Sequence, residues 1–445
     1  MLSRRSFLAA SAALTAGPAM AAPAPKKGSD RNTVDVAIVG AGAAGIAAGR
    51  RLAAAGRSVA LIEAAGEIGG RCVTDTKIFG VPYDRGAHWI HMPEINPVAR
   101  LASQTGLDIY PAPTGQRVRI GRRYARESEM EDYLAGLVRA NTAIYAAAAK
   151  ADVPCAQVLP KDLGEWRPTI EFFLGPFGCG KDLSEISAID FARSAERDID
   201  AFCRQGFGAL IAKLAAALPV QLANPVTAID YGGRGAIQIE AAKGRITCTA
   251  AIVTVSTNVL AAGKIRFSPD VPRRHLDAAS RLKLGSYDHV TLELPGNPLA
   301  LRPDELVFEK SSGPRTASLF GNASGSTLCM IDVAGSFGRE LAAKGEREMI
   351  AFAIEWLGNL YGTDLKNAVK RRHATRWSYE PYALGAFSVA SPGGQPSRRI
   401  LAEPLNAKLW FAGEATHETL WGTVGGAWEA GERAADAALR LFARR

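Results

Sequence analysis

The sequence predicts an α/β fold, and three features carry that prediction. A strand, a glycine-rich loop and a helix follow one another near the N-terminus, the same strand-then-helix order returns at the C-terminus, and two long stretches of different character lie between. The first domain is therefore assembled from discontinuous segments, with an α+β domain inserted into it.

Folded structure is expected to begin near Val34, because residues 22–33 are rich in Pro, Ala, Lys, Gly and Ser and read as a linker. Val34 to Val39 is a short apolar β-branched run, Gly45 to Ala55 is Ala-rich with Leu52 placed for a helix, Gly56 stops it, and Ser58 to Glu63 is a second β-type run. Together they form a βαβ unit. Gly40-Ala41-Gly42-Ala43-Ala44-Gly45 occupies its strand-to-helix turn, where glycines let the backbone turn tightly and approach a pyrophosphate at a helix N-terminus. Glu63, 18 residues beyond Gly45, ends the second strand, where a carboxylate can accept from ribose hydroxyls. Strand, helix and acid in register predict a Rossmann-like dinucleotide-binding domain and leave NAD and FAD both open.

From about Asn96 to Arg204 the pattern turns helical, with Met130 to Lys150 the longest candidate. Strand periodicity returns at Val226 to Ile229, Ala236 to Glu240 and Ala250 to Val255, and again at Val290 to Leu294, Leu306 to Glu309 and Thr327 to Val333. A helix follows at Glu346 to Tyr361, with Ile350, Ile354, Leu357 and Tyr361 on one face and Gly362 as its stop. Lys408 to Ala412 is a short strand and Gly426 to Phe442 a helix. These elements give a nucleotide-binding domain in three parts (34–95, 205–284 and 396–445) and an inserted substrate domain in two (96–204, helical, and 285–395).

Composition narrows the function classes. With 445 residues, 47% hydrophobic and 22% charged, the chain is globular rather than disordered, and its 45 glycines carry no three-residue period. The net charge of +9 is scattered, with no basic element interleaved with aromatics, which argues against nucleic-acid binding. Six cysteines at wide spacings, without Cys-x-x-Cys, signal no metal site; an oxidising compartment would permit a bridge between Cys155 and Cys179. Ser3-Arg4-Arg5-Ser6-Phe7-Leu8, a short apolar stretch and Ala19-Met20-Ala21 resemble a cleavable twin-arginine signal over residues 1–21. That stretch is too short to span a bilayer, which takes about 20 residues. The resemblance implies the twin-arginine export machinery as a partner, a periplasmic or secreted protein exported folded, and no stable membrane insertion.

Beyond Glu63 come Gly69-Gly70-Arg71, then Asp84-Arg85-Gly86-Ala87-His88-Trp89-Ile90-His91, and near the C-terminus Phe411-Ala412-Gly413-Glu414-Ala415-Thr416 and Gly422-Thr423-Val424-Gly425-Gly426-Ala427-Trp428-Glu429. With Val226, Ile252 to Val255 and Trp377, these blocks make the chain resemble the flavin-containing amine oxidase family over nearly all of its length past the leader. The resemblance implies FAD as the dinucleotide. It puts Gly40, Gly42, Ala43, Ala44, Gly45, Gly70 and Arg71 at the pyrophosphate, Glu63 at the ribose and Val226 beside the adenine. Gly86, Ala87, His88 and Trp89 would lie near the flavin, Gly413 and Glu414 on its ribityl side, and Thr423 and Val424 at its pyrimidine edge. Ala386 stands where monoamine oxidases carry the cysteine that anchors the flavin, so the resemblance implies non-covalent FAD.

The implied activity is oxidation of a small-molecule amine, with hydride transferred to flavin N5, the imine hydrolysed, and the flavin reoxidised by oxygen or another redox acceptor. Aromatic walls flank the substrate in the family; here Phe387 takes the first position and Thr423 the second, leaving a half-open cage unless Trp421 swings in. His289 aligns with the family lysine that holds a water against N5, with its neutral form expected in an apolar site. His91 aligns with a residue at the pocket mouth. For His289, His91, Trp89 and Val226 a purely packing role stands beside the functional one. An L-amino-acid oxidase would need a cation for the substrate carboxylate, a part that Arg117 or Arg119 would have to play. A flavin-loaded protein without turnover is the other alternative.

Overall fold

The computed structural model describes residues 32–195, 199–233, 235–362 and 365–443, so the leader, the proposed signal and most of the linker lie outside the described residues. Thr33–Val39, Ala43–Ala54 and Val59–Ile62 form the βαβ unit, and the two strands pair in parallel. Burial on both faces explains why the last four residues of the first strand, Val36 to Val39, are all apolar. Val36 and Ile38 face a core layer with Leu52, Leu61 and Ile252, while Ala37 and Val39 face the opposite layer with Ile229, Ile239 and Phe411.

This strand lies inside an eight-stranded sheet in which seven strands run in the order 220–221, 59–62, 33–39, 244–253, 237–241, 226–230 and 266–268, and the eighth, 409–411, pairs with 244–253. Gly244–Val253 changes partner along its length. Its first half pairs antiparallel with Ile237–Ala241, and its last three residues pair in parallel with Leu409–Phe411. The final helix, Val424–Ala443, packs on the first helix almost backbone to backbone: a Cβ on Gly431 would lie 2.0 Å from the Ala44 carbonyl oxygen.

A second, seven-stranded sheet runs in the order 372–374, 287–293, 328–334, 318–321, 305–309, 117–120 and 123–124. Glu346–Tyr361 covers it through Met349, Ile350, Ala353, Trp356, Leu357 and Leu360, and ends at Gly362, whose φ is +67°. The 96–204 stretch, expected to be helical, supplies the long helix Glu127–Ala148 but also strands. Arg117–Ile120 and Arg123–Tyr124 extend the second sheet, and Ile109–Pro111 and Asp200–Cys203 build a small third one with Ile90–His91. These strands run for two to four residues, too short to show alternation in the sequence. Asp84 ties the first segment to the middle one by capping Phe207–Leu214: its carboxylate accepts from Phe207 N at 3.0 Å and Gly208 N at 3.3 Å.

Candidate active site

One elongated cavity of about 860 Å³ runs from the glycine loop to the second sheet, opening beside the C-terminal ends of the parallel strands. It brings together every sequence-predicted site residue except Gly45, which acts from behind the loop. A Cβ there would come within 1.9 Å of the Gly40 carbonyl oxygen, so any side chain would push the helix off the turn. Gly40, Gly42, Ala43, Ala44 and Gly70 leave the cradle nearly bare of side chains, which suits a pyrophosphate.

Glu63 is buried, and its two carboxylate oxygens accept from Ala41 N at 2.7 Å and Ala65 N at 2.8 Å. It thereby fixes the glycine loop besides facing the cavity. Burial pushes its carboxyl above the ordinary value despite these donors. Glu63→Ala is expected to weaken dinucleotide retention by about 1.5 to 3 kcal/mol, the worth of a hydrogen bond to a charged group. Unchanged affinity in a fluorescence titration would remove Glu63 from the ribose.

Val226 opens the strand Val226–Asp230 and is 8% exposed at the same end of the cavity. Farther along, Glu414 is 4% exposed and is the hub of a polar network. One of its oxygens accepts from Arg71 Nη1 at 2.9 Å and Ser388 N at 3.0 Å, and the other from Ser388 Oγ at 2.7 Å and Gly422 N at 2.8 Å. Burial raises its carboxyl, but Arg71, Ser388 and Arg398 together outweigh that and hold it below the usual range. Arg71 also donates to the Ala386 carbonyl at 2.7 Å, so residue 386 is locked by its backbone and offers the cavity only a methyl group.

Thr423 lines the cavity and has a second part besides. Its hydroxyl donates to the Leu420 carbonyl at 2.7 Å and accepts from Gly426 N at 2.9 Å, which makes it the N-cap of the final helix. Val424 then places that helix N-terminus at the cavity. Trp421 does not swing in: it is 1% exposed, with the Arg398 guanidinium 5.0 Å above its ring.

The wall is aromatic nonetheless, with three of its four rings from residues that the sequence did not reveal. Phe173 and Phe177 belong to a π-helical turn, Phe173–Phe177, and stack at 5.7 Å; Phe177 meets Tyr287 at 6.2 Å, and Tyr287 meets Phe387 at 6.0 Å. All four rings line the cavity, so Phe387 is one panel of four. A π-turn has no signature in residue spacing, which is why only Phe387 was legible.

The loop Arg85-Gly86-Ala87 is fixed from three sides. Trp377 Nε1 donates to the Arg85 carbonyl at 2.9 Å, His289 Nε2 lies 3.0 Å from the Gly86 carbonyl, and Cys72 Sγ lies 3.8 Å from the Ala87 carbonyl. His88 and Trp89 line the cavity but also pack on Phe202, with ring centroids at 4.6 and 4.7 Å, and His88 Nδ1 lies 2.8 Å from Asp84. His91 lines the cavity with Nδ1 2.7 Å from Asp200, a pair made by strand register.

His289 differs most from expectation. It sits within the strand Tyr287–Glu293, and its Nδ1 is 2.6 Å from Asp332 Oδ1. Burial alone would lower its pKa, but Asp332 and the Gly86 carbonyl outweigh burial, so the ring is held above the ordinary histidine value and its protonated form is favoured. The expected neutral ring is thus overturned by a carboxylate 43 residues away. Beside it, Asp288 accepts from Trp377 N at 2.7 Å and is pushed up to about 6 by burial.

Neither arginine proposed for a substrate carboxylate reaches the cavity. Arg117 pairs with Glu305 at 2.9 Å under Tyr124, and Arg119 is buried against Tyr124 and Tyr361 with Nε donating to the Leu360 carbonyl at 3.0 Å.

A family model described as flavin containing amine oxidoreductase matches residues 43–439. The chain is 26% identical to human lysine-specific histone demethylase 2 over 91% of its own length and 53% of that protein's, so it spans about half the length of the demethylases that it matches. It is 27% identical to human peroxisomal N(1)-acetyl-spermine/spermidine oxidase, over 92% of this chain and 95% of that one. Among solved structures, cyclohexylamine oxidase from Brevibacterium oxydans superposes with a TM-score of 0.76 at 21% identity, and wild-type putrescine oxidase bound to putrescine with 0.74 at 20%. Each covers 92% of this chain and 99% of its own, and shares the fold.

Proposed function

The chain belongs to the flavin containing amine oxidoreductase family, and from that premise we propose that it binds FAD without a covalent link and oxidises a small-molecule amine. One observation carries the reading: the glycine cradle, Glu63, the His289 loop and the four-ring wall face a single cavity. The bound flavin supplies the acceptor for the hydride equivalent of the amine-bearing carbon. The protein supplies the rest. Arg71 and the helix N-terminus at Val424 meet the cofactor's negative charge, and the rings of Phe173, Phe177, Tyr287 and Phe387 exclude water and favour an uncharged amine in reach of the reacting end. Oxygen or another redox acceptor restores the flavin.

Primary and secondary amines, polyamines among them, are expected to bleach the flavin in anaerobic stopped-flow faster than any α-amino acid, because Arg117 and Arg119 are spent on Glu305 and the Leu360 carbonyl. A preference for L-amino acids would turn the assignment to an amino-acid oxidase, and no bleaching by any amine would leave a flavin carrier without turnover. Heat or acid is expected to release all of the colour, since Ala386 has no group to bond the ring. We further propose export through the twin-arginine route to the periplasm or beyond, on Arg4-Arg5 and Ala19-Met20-Ala21. Retention of the Arg4→Lys, Arg5→Lys variant in the cytoplasm would support it.

A further inference from the structure

We propose that Asp332 is a positioning residue for the reacting end of the cavity: it holds His289 as a doubly hydrogen-bonded imidazolium against the Gly86 carbonyl, so that this end of the cavity carries one fixed cation. The proposal rests on the flavin reading given above.

The geometry starts from sheet register. His289 lies directly opposite Asp332 on the neighbouring strand Leu328–Ala334, and Asp332 lies opposite Ser318 on the next. On the other side, His289 N donates to the Thr375 hydroxyl at 2.9 Å, and the His289 carbonyl accepts from Thr375 N at 3.0 Å. The ring therefore sits in a row of polar residues crossing three strands, with Thr375 just beyond the end of a fourth, and its backbone is fixed at both polar atoms.

The proton count then follows from the acceptors. A carbonyl oxygen only accepts, so Nε2, 3.0 Å from Gly86 O, must carry hydrogen. Nδ1 faces Asp332 Oδ1 at 2.6 Å, and the other carboxylate oxygen of Asp332 accepts from the Tyr287 hydroxyl at 2.9 Å and from Ser318 Oγ at 3.4 Å. Two donors on Oδ2 stabilise the carboxylate as an anion, which leaves the shared proton on Nδ1. A neutral imidazole has one N–H and would leave one of these two acceptors facing a lone pair in a site 7% exposed. The charged groups facing the ring are Asp332 from the strand opposite and Asp288 from its own; Tyr287, 5.7 Å from it ring to ring, and the Gly86 carbonyl complete the surroundings.

His289 lines the cavity and Asp332 lies behind it, so the pair presents its positive end to the reacting centre. That end favours added electron density on a bound flavin, and the bond to Gly86 O sets the height of the loop between the straps from Trp377 and Cys72.

The full-length protein as purified, labelled in its six histidines, is followed by NMR against pH, with His289→Gln assigning the ring. The His289 ring is expected to titrate above the free-imidazole value of about 6.5 in the wild type, and near or below it in Asp332→Asn. The two-electron reduction equilibrium of the flavin in Asp332→Asn, read against redox dyes at neutral pH, is expected to shift about tenfold against reduction, or about 30 mV. A wild-type ring that titrates at or below about 6.5 overturns the proposal. So does an Asp332→Asn protein with wild-type titration and reduction equilibrium. If Asp332→Asn fails to fold, the wild-type titration decides alone. A protein that takes up no flavin would defeat the functional reading, while the titration would still report on the pair.

Discussion

His289→Ala is expected to slow reduction of the flavin by amine about ten- to a thousand-fold, the usual worth of a positioned proton-handling or charged group. The alanine removes the ring that faces the cavity, releases the Gly86 carbonyl and leaves Asp332 with Tyr287 and Ser318 as its remaining partners. The sign of the pH effect follows from the direction of the shift. Asp332 raises the pKa of the folded ring, so the contribution of the charged form is complete at lower pH and fades as pH rises through that raised value. The wild-type reduction rate is thus expected to carry an alkaline decline from this group, absent in His289→Ala and flattened in His289→Lys, which keeps a cation across the range. Stopped-flow rates and pH profiles for both half-reactions that matched the wild type would make His289 a packing residue.

Asp190→Ala is expected to produce the largest loss of stability of any single change at the site's periphery. Asp190 and Arg398 are both fully buried, with paired contacts of 2.8 Å (Nε to Oδ1) and 2.6 Å (Nη2 to Oδ2). Removing the carboxylate strands a guanidinium in the interior at a cost of about 3 to 5 kcal/mol. In a chain of this size that lowers the melting temperature by several degrees, at roughly 2 to 4 °C per kcal/mol or somewhat less. Arg398 also donates to Ser388 Oγ at 3.1 Å, and Ser388 holds Glu414, so flavin retention is expected to fall with stability. The double variant Asp190→Leu, Arg398→Met, which leaves no charge behind, should recover much of the loss. Calorimetry showing the single and double variants equally stable with the wild type would mean that the pair contributes nothing.

These two sites also mark where the sequence stopped being readable. The βαβ unit was legible because its information is local: glycines spaced through one turn and an acid at the end of the next strand. The helix at Glu346–Tyr361 was legible for the same reason, an apolar stripe ending in glycine. Asp332 and Asp190 carry no local mark. Each became a partner only through register or packing across 43 and 208 residues respectively. The wall was half read: Phe387 followed a family motif, whereas Phe173 and Phe177 depend on a π-helical turn and Tyr287 on which face of its strand turns inward. Thr423 was legible as a cavity residue at the last helix, but its capping bonds were not, because they depend on the direction of one hydroxyl.

The order of manufacture matters for the helix that packs on Ala43–Ala54. A ribosome releases the glycine loop early, whereas the strand Leu409–Phe411, the Glu414 hub and the helix Val424–Ala443 follow it much later. Until then the first helix lacks the small-residue surface around Gly431, and Arg71 lacks its carboxylate. Until these segments are made the nascent chain has no complete cradle to offer, and cofactor loading is expected to follow completion of the fold. A chain stopped before residue 409 should emerge colourless, however well its first βαβ unit has formed.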